Sequence, residues 1–295
     1  MNKNQPELLL NNTLEDWQKK KFSLPKNTIR VGTLFSGIGA IEHALERLKL
    51  NNEIVFACDN DLAVKKSYFA NYKITEDKWH DDVSKLNAKK YKYKVDLLVG
   101  GSPCQSFSMV GKRGGLEDTR GTLFYDFARI ISECKPKVFI FENVKGLLSH
   151  DEGKTWKTIK NTFSDLGYYF SDPEVLNAKH FGIPQNRNRV FVIGFRKKKW
   201  NADFSYPRRI ELGSRMQDYL EDYVDSQFYL KEKGVKFVTS IKNQTKSYTQ
   251  VNGDIALCQK ANQQFNWHGD FIFEKVSKKL KYDESLFEIK EVESK

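Results

Sequence analysis

Ile29-Arg30-Val31-Gly32-Thr33-Leu34-Phe35 runs directly into Ser36-Gly37-Ile38-Gly39-Ala40, and the reading of this stretch decides the fold. The first seven residues read as a mostly buried strand, and Ile41, Ala44, Leu45 and Leu48 then recur at helical spacing. A strand, a glycine turn and a helix in that order bring backbone N–H groups at a helix N-terminus close to a ligand. Such a site suits a nucleotide-like cofactor with an anionic group. A turn that merely joins strand to helix has the same spacing, so the motif needs support from the rest of the chain.

That support accumulates downstream. A second strand, Glu53 to Cys58, ends in Asp59-Asn60-Asp61, and an acid at the end of the second strand is where such folds hold ribose hydroxyls, so Asp59 is the ribose candidate. Asp81-Asp82 before Val83 offers a carboxylate for an adenine amino group, with helix capping as the alternative. The strand Val95 to Val99 delivers Gly100-Gly101-Ser102-Pro103-Cys104-Gln105-Ser106-Phe107-Ser108, a thiol in a Gly/Ser/Pro loop. Thr122 to Cys134 has helical spacing. The strand Val138 to Phe141 is followed at once by Glu142-Asn143-Val144, which puts a carboxylate at a sheet edge equivalent to that of Cys104.

Thr155 to Leu166 reads as helix, Val175 to Lys179 as strand, and Gln185-Asn186-Arg187-Asn188-Arg189 leads into the strand Val190 to Ile193. Two arginines two apart at the start of a strand, Arg187 and Arg189, point to the same side. Strands alternating with helices argue for an α/β fold with a mostly parallel sheet and ligands at the strands' C-terminal ends. Residues 1–28 read as a polar arm, 29–206 as the sheet domain, and 207–295 as a smaller irregular region with weak periodicity.

Composition narrows the class of partner. Lys and Arg total 49 against 38 for Asp and Glu, a formal charge of +11, which draws polyanions, nucleic acid first among them. The four cysteines lack paired spacing, so neither a disulfide framework nor a structural metal site is expected, and a reducing, cytoplasmic setting fits. The longest apolar runs are too short to span a bilayer, and the polar start Met1-Asn2-Lys3-Asn4 does not read as a signal peptide.

The order of these motifs resembles that of the DNA (cytosine-5)-methyltransferases. Phe35 to Gly39 resembles the family's cofactor loop, Ser102-Pro103-Cys104-Gln105 its nucleophile loop, Arg120 to Phe124 a segment between them, Glu142-Asn143-Val144 its acidic motif and Gln185 to Arg189 its arginine motif. The resemblance implies a Rossmann-like S-adenosylmethionine-dependent methyltransferase sheet with a smaller target-recognition region, from a restriction-modification or phage-like system, acting in the cytoplasm on the nucleoid. It implies Cys104 as the nucleophile that adds to cytosine C6, Glu142 as the group at N3, and Arg189, with Arg187 in support, at O2. Phe35, Gly37 and Gly39 would contact S-adenosylmethionine, with Asp59 on its ribose, Asp82 on its adenine and Leu123 beside it. Asn60 stands where some members carry an aromatic residue.

The expected partner is duplex DNA with the target base flipped out. The family's two closing motifs, an Arg-rich segment and a Gln-x-Gly-Asn-Ser-like helix, are not found after the recognition region. Two explanations stay open: a second polypeptide supplies them, or the chain is a truncated member. RNA methylation and a catalytically silent DNA-binding remnant are the alternative functions.

Overall fold

The computed structural model describes residues 27–103, 123–259 and 266–274. They cluster into two compact units, one made of residues 27–176 with 188–208, the other of 177–187 with 209–274. The arginine motif is therefore divided. Gln185, Asn186 and Arg187 belong to the smaller unit, whereas Asn188 and Arg189 begin a strand of the larger one.

In the larger unit, strands β1 (Ile29–Leu34), β2 (Asn52–Cys58), β3 (Trp79–His80), β4 (Leu97–Gly100) and β5 (Val138–Val144) are mutually parallel. β6 (Tyr169–Phe170), β7 (Glu174–Asn177) and β8 (Asn188–Phe195) complete the sheet, in the order β3-β2-β1-β4-β5-β8-β6 with β7 also on β8. β8 is antiparallel to β5 and β6. The order reverses direction between β1 and β4, and a ligand crevice opens at such a switch point, outside the carboxyl ends of the strands.

Helices α1 (Ala40–Arg47), α2 (Leu62–Asn71), α3 (Leu123–Cys134) and α4 (Lys154–Asp165) fill the crossovers. α3 and α4 bury their apolar faces on β4 and β5 through Phe124, Phe127, Phe139, Phe141 and Phe163, all fully buried, with ring centroids 4.7–6.5 Å apart. Each such ring contributes about 1.5–3 kcal/mol relative to an exposed one, so this cluster fixes β5 and the residues at its end.

The expected strand Val138 to Phe141 is longer than its apolar run. It continues through Glu142, Asn143 and Val144 because β8 pairs with those residues, Glu142 opposite Phe191 and Val144 opposite Arg189. Glu142 is thus held inside a ladder rather than in a following turn.

The smaller unit is built from short pieces: α6 (Glu232–Val238), α7 (Ile241–Thr245) and a parallel pair, β9 (Thr249–Val251) with β10 (Gly269–Phe271). α5 (Lys198–Ala202) belongs to the larger unit. Buried Thr249 donates its hydroxyl to the Val238 carbonyl at 2.9 Å, and the Asp270 carboxylate accepts from the Leu257 N–H at 2.9 Å and from Gln250 Nε2 at 2.9 Å. Residues 177–187 join this unit through Asn186 N–H to the Ala256 carbonyl (2.8 Å) and Ala256 N–H to the Pro184 carbonyl (2.8 Å). Among the described residues no helix is long and apolar enough to cross a membrane.

Candidate active site

Strand register assembles the site. One row crosses the sheet through His80, Cys58, Leu34, Gly100 and Phe141. The next residue along each strand is Asp81, Asp59, Phe35, Gly101 and Glu142. Five chain segments therefore present their chemistry at a single edge, the carboxyl end of the parallel strands.

On the β1 side the chain leaves its strand sharply. Phe35 has φ 54°, Gly37 φ 53° and Gly39 φ 88°. A left-handed phenylalanine costs on the order of 1 kcal/mol, and such strain persists where surrounding structure enforces it. Here the enforcing contacts are specific. Ser36 donates its N–H to the Cys58 carbonyl at 3.0 Å and accepts the Cys58 N–H on its hydroxyl at 3.0 Å. The Gly37 N–H donates to Asp59 Oδ2 at 2.9 Å, while Asp59 Oδ1 accepts from the Asp61 N–H at 3.1 Å. Asp59 and the glycine loop are thus one hydrogen-bonded unit.

The two glycines serve different ends. A Cβ on Gly37 would meet nothing within 4 Å, so the loop is open there, whereas one on Gly39 would collide with the ring of Tyr72. The Tyr72 hydroxyl donates to the Gly39 carbonyl at 2.7 Å.

Beneath the loop lies a network that sequence reasoning missed. Glu42, 1% exposed, accepts on Oε1 from the Thr33 hydroxyl at 3.0 Å and from the Tyr68 hydroxyl at 2.7 Å, and Thr33 Oγ1 also shares a hydrogen bond with Ser36 Oγ at 2.9 Å. Burial, with Glu42 beside it, pushes the Tyr68 hydroxyl well above its ordinary pKa, so it remains a donor. Glu42 Oε2 is buried without a hydrogen-bond partner. A glutamate in the first turn of an amphipathic helix reads as solvent-facing, and only the tyrosine from α2 reveals it as internal.

On the β5 side, Arg189 Nε stands 2.9 Å from Glu142 Oε1, with side chains 19% and 32% exposed. Arg189 Nη1 also donates to the Asn188 carbonyl at 2.8 Å, which fixes the guanidinium. A Cβ on Gly101 would fall 2.6 Å from Glu142 Oε2 and 2.9 Å from the Glu142 carbonyl oxygen, so glycine is what lets the loop after β4 pass Glu142. Buried Asn143, also unforeseen, donates Nδ2 to the Ser102 carbonyl at 2.8 Å and accepts the Val144 N–H at 2.9 Å. It ties the loop leading to Pro103 onto β5. A polar residue right after the acid in a buried strand was the available signal.

Cys104 follows Pro103 and lies outside the described residues. The thiols of Cys58 and Cys134 are buried in the core, and burial pushes each up to about 12. Leu123 is the first residue of α3 and packs against the core. Asp82 caps a short 3₁₀ turn, accepting from the Ser84 hydroxyl at 2.7 Å and N–H at 2.9 Å, and these bonds hold its carboxyl below the usual range. The capping alternative therefore describes its local role, with the carboxylate still exposed.

Arg187 sits one residue before β8 and belongs to the smaller unit. Within the smaller unit its Nη1 lies 3.7 Å from Cys258 Sγ and its N–H donates to Asn177 Oδ1 at 3.2 Å.

Comparison with known proteins adds independent findings. The family model for C-5 cytosine-specific DNA methylase matches residues 29–291. An orphan methyltransferase of Bacillus phage SPR, M.SPRI, is 41% identical over 69% of this chain and 52% of its own length. The type II methyltransferase M.HpaII of Haemophilus parainfluenzae is 41% identical over 72% of this chain and 59% of its own. A mutant of Spodoptera frugiperda DNMT2 shares the fold, with a TM-score of 0.65 at 20% identity over 84% of this chain and 75% of that one. The chain spans about half the length of the curated relatives it matches.

Proposed function

The chain belongs to the C-5 cytosine-specific DNA methylase family, and from that premise we propose that it transfers a methyl group from S-adenosylmethionine to C5 of a cytosine flipped out of duplex DNA. Because the chain spans about half of its relatives' length, the complete reaction is proposed for these units together with whatever corresponds to the remainder.

The observation that carries the reading is the Glu142–Arg189 pair at 2.9 Å, placed on the same sheet edge as the Gly101–Ser102 segment that leads to Cys104. A carboxyl group and a guanidinium side by side match N3 and O2 of cytosine, the positions where charge grows when a nucleophile adds to C6. In this mechanism the Cys104 thiolate adds to C6, and Glu142 meets the developing charge at N3. Arg189 holds O2, and C5 becomes electron-rich. Once C5 has taken a methyl group whose bond to sulfur breaks with the electron pair staying on sulfur, loss of the C5 proton and expulsion of the thiolate restore both ring and enzyme.

The glycine turn fits the methyl donor. Gly37 leaves open space, and the Asp59 carboxylate is anchored to the same loop by the Gly37 N–H. Phe35, Gly37, Gly39, Asp59, Asp82 and Leu123 would hold S-adenosylmethionine, which supplies an electrophilic methyl group when bound. Asn143 positions the Ser102 carbonyl and with it the approach to Cys104. Arg187 would be the supporting arginine, carried on the segment that leads into β8.

Incubation of the chain, alone and together with the product of the neighbouring reading frame, with methyl-labelled cofactor and either duplex DNA or tRNA tests the proposal. Label at C5 of DNA cytosine supports it. Label only in tRNA moves the substrate class to RNA, and no transfer to either, with cofactor binding intact, leaves a DNA-binding remnant.

A further inference from the structure

The opposite edge of the same sheet carries cations that the proposed reaction does not use. Register runs through Val31, Leu97, Val138 and Phe195, and one residue further out stand Arg30, Asp96, Lys137 and Arg196. At about 4.8 Å between strands this line is about 14 Å long, and it lies about 17 Å along β4 from the Gly101 edge. Asp96 is its acid, shared by Arg30 (2.9 Å) and Lys137 (2.8 Å). The flanking Lys92, Lys94 and Lys135 are exposed and form no ion pair with any described acid. Tyr93, 54% exposed, stands among them with the Arg196 guanidinium 5.3 Å and Lys92 Nζ 5.6 Å from its ring centroid. Lys197 follows Arg196 and is exposed as well.

Backbone ties make this cluster rigid. The Tyr93 N–H donates to the Cys134 carbonyl at 2.8 Å, Arg30 Nη2 to the Tyr93 carbonyl at 3.3 Å, and Arg196 donates from Nη1 to the Lys135 carbonyl at 2.7 Å and from its N–H to the Lys137 carbonyl at 3.0 Å. Tyr93 and Lys135 are held at φ 60° and 47°. The lysines therefore project from a fixed scaffold. Fixed cations without counter-charges among the described residues concentrate positive potential and gain free energy by displacing counterions from a polyanion.

We infer that this edge is a sequence-independent docking surface for the phosphate backbone of duplex DNA, separate from the cytosine-handling edge. The choice of DNA among polyanions rests on the function proposed above. The surface lets one chain hold a second stretch of duplex while the first is at the site, which favours transfer along or between DNA segments.

The test compares the full chain with a variant carrying Lys92→Gln, Lys94→Gln, Lys135→Asn and Lys197→Gln; asparagine tolerates the left-handed backbone at 135. Affinity for a generic duplex is measured between about 50 and 200 mM salt. The slope of log K against log salt should shrink by about 0.9 for each phosphate that is no longer neutralised, up to about 3.6 for four. A control variant, Lys66→Gln, Lys73→Gln, Lys157→Gln and Lys160→Gln, removes equal charge elsewhere and should keep the wild-type slope. An unchanged slope in the first variant, or an equal drop in the control, overturns the inference. So does tighter binding of the wild type to anionic phospholipid vesicles or poly-glutamate than to duplex at equal salt. Retained cofactor binding in the first variant verifies its fold. Loss of the salt effect is read independently of methyl transfer, so failure here and failure of the proposed reaction are distinguishable.

Discussion

Gly101→Ala should disable the reaction while leaving most of the fold standing. The added methyl would lie 2.6 Å from Glu142 Oε2 and 2.9 Å from the Glu142 carbonyl oxygen. The carboxylate can swing away, but the carbonyl cannot, because Glu142 is fixed in the ladder opposite Phe191. Forcing one methyl against fixed backbone costs about 1–3 kcal/mol, a fall in melting temperature of about 2–12 °C for a domain of this size. The larger effect is on chemistry. A carboxylate displaced by about 1 Å, with its 2.9 Å contact to Arg189 broken, loses on the order of 100-fold in rate. Single-turnover methyl transfer, with cofactor affinity measured beside it, is the assay, and affinity should change less than about 2-fold because the glycine loop is untouched. Gly146→Ala is the control, since a methyl there meets nothing within 4 Å. A Gly101→Ala protein with the wild-type rate would refute the claim that the reaction depends on Glu142 where the structure places it.

Three further outcomes follow from other contacts. Tyr72→Phe removes the hydrogen bond to the Gly39 carbonyl, so cofactor affinity should fall about 5-fold, by titration calorimetry, with kcat at saturation unchanged. Asp96→Asn should cost about 1–3 kcal/mol in denaturant unfolding near neutral pH. Burial opposes ionisation of Asp96, but hydrogen bonds from Arg30 and Lys137 outweigh it and hold the carboxyl below its usual range. Its contribution is therefore full above the unfolded value of about 3.9 and fades as pH drops below it, so wild type and variant should converge in acid. Cys58 and Cys134, with thiols pushed up to about 12, should resist alkylation by iodoacetamide at about pH 8 in the folded protein, by peptide mass mapping.

Much of this site was legible because it is written in local pattern. The run Ile29 to Leu34, then glycines at 37 and 39, fixes a strand, a left-handed turn and a helix wherever it occurs, and the acid at 59 follows its own strand. What was hidden depends on partners distant in sequence. Glu142 is inside β5 only because β8 comes back antiparallel beside it. The boundary between the two units falls inside the arginine motif, between Arg187 and Asn188, where β8 begins. Glu42 is buried only through Tyr68 and Thr33, which close over it from α2 and β1. The contact Asn143 makes depends on a carbonyl 41 residues earlier.

The central claim is that Cys104 attacks cytosine at the edge where Glu142 and Arg189 meet. Duplex DNA with 5-fluorocytosine in place of cytosine tests it most directly, because the fluorine at C5 cannot leave as a proton does and the thiol stays bonded to C6. With S-adenosylmethionine present, wild-type protein should form a denaturation-resistant adduct that maps to Cys104, and Cys104→Ala should form none. Wild-type protein that binds cofactor and DNA yet forms no adduct, or an adduct that survives Cys104→Ala, would contradict the account.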